Sequence, residues 1–140
     1  MAAIDLNTVR STIEGRLATE LASNPAIPVV FNNMAFDSTT EDTFVQCQTS
    51  CGSASYLTMG GSADSSNSVV GLLLINIFTE EGIGAGSNLT IGKRLRDLYN
   101  NITVSNVIFD SPIGPEVLAS SPEGKFQTQI RVTFEIYEDL

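Results

Sequence analysis

Histidine is missing from this 140-residue chain, which removes the commonest general base at neutral pH and the commonest transition-metal ligand. Hydrolase schemes that pass a proton through an imidazole lose their central group. No Gly-x-Ser-x-Gly elbow occurs, so the many serines have neither the strained turn nor the base that would activate them. Cysteine is nearly absent as well. Cys47 and Cys51 supply half of a zinc shell at most, and no other soft ligand completes it. Val45-Gln46-Cys47-Gln48 reads as strand, and four residues of extended chain span about 13 Å, beyond disulfide reach. Two free thiols are the expectation, with no metal and no cofactor.

Positive charge is scarce too. Seven Lys and Arg against sixteen Asp and Glu leave a formal charge of -9, which repels phosphate backbones and argues against nucleic acid as a direct partner. No apolar run approaches the roughly 18 residues of a membrane span. The start, Met1-Ala2-Ala3-Ile4-Asp5, lacks the basic and apolar regions of a secretory signal, so a soluble chain made in the cytosol is expected.

What is present suits one compact domain over residues 1–140, since 42% of the chain is hydrophobic. Leu6, Val9, Ile13, Leu17 and Leu21 recur at spacings of three and four, predicting an amphipathic helix capped by Asp5 or Asn7 and closed by Pro25. Pro28-Val29-Val30-Phe31 and Thr43-Phe44-Val45-Gln46-Cys47 read as short strands. Residues 50–68 are rich in Ser and Gly and long for an ordinary connection. They form an arm or loop in which Tyr56, Leu57 and Met59 either grip a neighbour or fold back as a hairpin on their own sheet.

Val69 to Phe78 is apolar on both alternations, as expected of a central strand covered on both faces, with Asn76 a satisfied core amide. Ile91, Leu95, Leu98, Tyr99 and Ile102 predict a second helix capped by Ser87 or Asn88, with Lys93 and Asp97 paired on its wet side. In the last segment Phe126, Ile130, Val132, Phe134 and Ile136 share one parity, while Gln127, Gln129, Arg131 and Glu135 take the other, predicting a long strand with one core face and one wet face. The elements add up to an α+β fold, a mostly antiparallel, mixed sheet with two helices packed on it.

The order strand, Gly82-Ile83-Gly84-Ala85-Gly86-Ser87, helix, strand and Asp110 invites a dinucleotide-binding reading. Ser87 stands where a third Gly or Ala is needed, and Glu80 and Glu81 place negative charge where a pyrophosphate would sit. Gly86 to Arg94 has one residue too many for a mononucleotide loop and ends in Arg rather than Ser or Thr. Asp37, Glu41, Asp42, Asp110 and Glu116 lie in polar links or beside turn prolines, which suits solvated charge better than a glycosidase pair. A nucleotide-binding enzyme remains as the alternative from a different class. Lys93, Arg94 and Arg96 hold three of the seven basic residues, either as a solvated helix exterior or as an electrostatic seat for an acidic partner or sister subunit.

Four stretches carry a family likeness: Thr12-Ile13-Glu14-Gly15-Arg16-Leu17, Ile27-Pro28-Val29-Val30-Phe31-Asn32-Asn33, Ile91-Gly92-Lys93-Arg94-Leu95-Arg96-Asp97-Leu98-Tyr99, and Pro122-Glu123-Gly124-Lys125-Phe126-Gln127-Thr128-Gln129-Ile130. Together with size, element order and the long closing strand, they resemble the tail terminator proteins of long-tailed bacteriophages. That resemblance implies a structural virion protein with no catalytic residues to transfer. It implies a homo-hexameric ring that caps the tail tube at its head-proximal end, halts tube polymerisation and offers a docking surface to head-completion or neck proteins, after assembly in the host cytoplasm. A head-completion or other neck-ring protein is the nearest alternative.

Overall fold

The computed structural model describes residues 5–23, 26–31, 43–56, 66–80, 82, 84–104, 106–118 and 125–139. In chain order the elements are α1 (Leu6–Glu20), β1 (Val29–Val30), β2 (Phe44–Tyr56), β3 (Ser66–Glu80), α2 (Gly86–Leu98), β4 (Thr103–Val104), β5 (Val107–Phe109), β6 (Ile113–Val117) and β7 (Lys125–Asp139). The strands join in one sheet of order β1-β2-β3-β7-β5-β4, with β6 also pairing β7. Among the described strands only β1 and β2 run parallel; the other pairs are antiparallel. This is the α+β, mostly antiparallel sheet with two helices that the sequence predicts.

β3 and β7 are the spine. They pair over fifteen consecutive positions, from Ser66↔Asp139 to Glu80↔Lys125. Val69, Leu73, Ile75 and Ile77 of β3, with Ile130, Val132, Phe134 and Ile136 of β7, point to one face and are buried there. Both helices cover that face. Asp5 caps α1, its carboxylate accepting from the Asn7 N–H at 3.0 Å and from the Thr8 hydroxyl. The helix then buries Val9, Ile13, Leu17 and Leu21. Each such side chain contributes about 1.5–3 kcal/mol by leaving water. Leu6, grouped with that stripe by spacing alone, is exposed at the first helical position.

The caps of α2 depart from expectation. Ala85 is the N-cap, with no side-chain cap bond, and Asn88 lies inside the first turn, fully buried. Its amide nitrogen donates to the carbonyls of Ile77 at 3.2 Å and Phe126 at 3.3 Å and to the Thr128 hydroxyl, while its oxygen accepts from the Thr79 hydroxyl. The side chain is spent on tying α2 to β3 and β7, so it has nothing left for the helix end. At the far end of α2 the buried Tyr99 hydroxyl donates to the Ile13 carbonyl of α1 at 2.8 Å, and Arg16 of α1 donates to the Leu98 carbonyl.

Two glycines set close approaches. At Gly71 a β-carbon would lie 2.2 Å from the ring of Phe134, its cross-strand partner, so the ring lies directly on the glycine. Phe134 continues into a tilted stack with Phe109 and Tyr99. At Gly92 a β-carbon would meet Pro115 at 2.7 Å, which brings α2 down onto β6.

The other face of β7 is not uniformly wet, contrary to the alternation. Gln127 is buried because its amide donates to the Asn76 oxygen at 3.0 Å, and Gln129 donates to the same oxygen at 2.9 Å. Asn76 in turn donates to Gln46 of β2, so the expected core amide is satisfied across three strands. Phe44 and Phe78 stack beside it at 4.6 Å.

Replacing Gly71 with Val should therefore destabilise the fold by about 1–3 kcal/mol, because the Phe134 ring it displaces is fully buried and packed against Phe109. Thermal unfolding of the variant checks this, and an unchanged midpoint would contradict the packing. Asn88→Ala should cost a similar amount, about 1–3 kcal/mol, by leaving the buried Thr79 and Thr128 hydroxyls short of a partner.

Candidate interaction surface

The strand, glycine turn and helix that resemble a dinucleotide unit are arranged for another purpose. Gly82 and Gly84 have φ of +93° and +86°, values that require glycine, so the turn itself accounts for them. β3 lies between β2 and β7 and is antiparallel to both. Among the described residues no parallel strand follows the helix beside β3, so they do not form the crevice in which a dinucleotide binds. Asp110, the acid of that reading, follows β5 and donates its backbone N–H to the Thr133 carbonyl. In the mononucleotide reading, Gly92 packs on Pro115 and Lys93 is held by Asp97. The cleft beside the turn is lined by Ile27, Ser87, Ile91 and Arg94, and its arginine is already engaged elsewhere.

Arg94 bonds to Glu20 Oε1 at 2.8 Å and to the carbonyls of Glu20 and Ser23, fastening α2 to the end of α1. It is largely shielded, whereas Lys93 and Arg96 are exposed. Lys93 pairs with Asp97 at 2.6 Å as the spacing predicts, an exposed pair worth about 0.3–0.5 kcal/mol. Arg96 makes no ion pair among the described residues. The three basic residues are therefore one clamp and two surface charges, and the two surface charges share an outward stripe of α2 with the exposed Leu89.

The Ser/Gly-rich stretch divides. Residues 50–56 belong to β2 and 66–68 to β3, paired antiparallel with a register shift between Cys51 and Ala54. Tyr56, opposite Asn67, ends β2, while Leu57 and Met59 lie outside the described residues. Cys47 is buried and Cys51 exposed, both free. Burial pushes the Cys47 thiol up to about 12, against a smaller lowering by Thr49.

One surface was missed by spacing arguments. Val70, Leu72 and Leu74 of β3 point away from both helices, and no described element packs over them; Val70 is exposed and the two leucines are half-buried. Pairing places Ile113 of β6 beside Arg131, and Arg131 beside Leu74; Ile108 of β5 likewise flanks Glu135 and Val70. The signal was the apolar run on both alternations of β3, read as coverage on both faces. Two helices on one side leave the second face as an apolar strip edged by Glu135 and by the Arg131–Glu116 pair.

A family model of the phage tail terminator protein matches residues 8–121. The chain belongs to the phage tail terminator family. The match runs from α1 through β6, so it includes both helices and the sheet's central strand. A solved structure superposes with a TM-score of 0.72 over 96% of each chain at 13% identity, which shows a shared fold. No curated protein matches in sequence. The tail terminator family is one of structural phage tail proteins, which makes this chain a virion tail component that assembles with other tail and head proteins.

Two outcomes follow from this geometry. Arg94→Gln should lower stability by about 1–2 kcal/mol through the lost carbonyl bonds, whereas Lys93→Gln and Arg96→Gln should stay within about 0.5 kcal/mol in chemical denaturation. A thiol reagent at pH 8 should modify Cys51 alone in the folded protein and both cysteines once it is unfolded. Reaction of both at one rate would mean that Cys47 is not sealed in the core.

Proposed function

We propose that this tail terminator forms a homo-hexameric ring on the head-proximal end of the tail tube, stops tube polymerisation there, and offers the docking surface for a head-completion or neck protein. The observation that carries the reading is the family match across most of the chain. The geometry supports it in kind. A sheet with helices on one side and an apolar strip on the other presents two unlike faces, and a closed ring is built by pairing unlike faces of successive subunits. Tyr56, Leu57 and Met59, where β2 gives way to β3, are a second candidate contact with a neighbour, alongside Lys93 and Arg96.

The experiment is tube polymerisation with and without the purified chain. Added chain should arrest elongation and appear as a cap at one end of each tube by negative-stain microscopy, and tails made without it should be overlong. Unchanged tube lengths, with the chain bound to empty capsids instead, would replace this reading with that of a head-completion protein.

A further inference from the structure

Resting on the ring reading, the geometry points to the surfaces that meet between copies: the outward stripe of α2 in one subunit seats on the helix-free face of the sheet in the next. The two surfaces match in chemistry. The stripe carries Leu89, Lys93 and Arg96, all exposed, and the sheet face carries Val70, Leu72 and Leu74 with Glu135 at one end. Glu135, opposite Val70 across the β3–β7 ladder, accepts from the Ser68 hydroxyl at 2.9 Å, which fixes its carboxylate in place.

They also match in length. Leu89 and Arg96 are seven residues apart, about 10.5 Å along a helix. Leu74 and the row of Val70 and Glu135 are four residues apart, about 13 Å along a strand. Laid along β3, the helix sets Leu89 on Leu74 and Arg96 on Glu135. Between them the aliphatic stem of Lys93 covers Leu72, while its ammonium stays with Asp97. The stripe and the sheet face lie on opposite sides of the molecule, so the contact is head-to-tail and repeats from copy to copy, as a ring requires.

The test is light scattering over a range of concentration and salt for the wild type, R96E, E135R and the double variant R96E/E135R, with circular dichroism to confirm folding. Each single reversal should raise the concentration for half-assembly at least tenfold, and the double variant should recover most of that loss. In parallel, Leu89→Cys with Leu74→Cys, in a chain carrying Cys51→Ser, should give disulfide-linked ladders on mild oxidation. A wild-type oligomer that is unaffected by either reversal and yields no ladder overturns this interface while leaving the ring intact. A wild type that stays monomeric and forms no ladder also overturns it, and tube capping then decides the ring reading separately.

Discussion

The fifteen-residue antiparallel ladder between β3 and β7 is the constraint from which the rest of the structure follows. Its strands are far apart in sequence, so their pairing closes a long loop, and the entropy of that closure must be offset by what the pair then organises. It organises nearly everything. β2 extends it on one side, and β5 and β6 share the free edge of β7 on the other. One face of the ladder alone supplies eight of the buried aliphatic and aromatic side chains that form the floor of the core.

The helices are fixed to that floor by a few polar bonds that lie between apolar ones. Asn88 joins α2 to both strands of the ladder, Tyr99 joins α2 to α1, and Arg94 and Arg16 tie the two helices at the surface. Buried groups of this kind add little net stability per bond, but each is costly when left alone, so they select one placement among the many that an apolar surface would accept. Burial of the Tyr99 hydroxyl and the Cys47 thiol raises the pKa of both groups, chiefly by desolvation. Their neutral forms suit the fold, so stability is complete below about pH 9, where an unfolded Cys47 begins to ionise, and declines as pH climbs from there towards 12.

Much of this was legible in the sequence wherever periodicity reports burial directly. The stripe of Val9, Ile13, Leu17 and Leu21 gave α1, the parity of Ile130, Val132, Phe134 and Ile136 gave β7, and the i,i+4 spacing of Lys93 and Asp97 gave their pair. What escaped were long-range partnerships. Asn88 reads as a cap because caps are local, and only the approach of Thr79 and Thr128 makes it a core amide. Gln127 reads as wet until Asn76 of another strand accepts a hydrogen bond from its amide. Ser, Gly and Ala in residues 50–56 weaken the strand signal, yet the backbone of β2 follows β3 regardless, because ladder bonds do not depend on side chains.

The sheet's second face brings these observations together. A central strand that is apolar on both alternations asks for cover on both sides, and α1 and α2 lie on the same side. In an ordinary monomer the free face of such a strand would be polar, as the Gln46, Asn76 and Gln129 row is at one end of this sheet. Val70, Leu72 and Leu74 break that pattern where no described element covers them. For a chain from a family of tail assembly proteins, the economical account is that the missing layer belongs to another molecule. A helix stripe of matching length with the opposite charge at its end is available on the far side of the same fold.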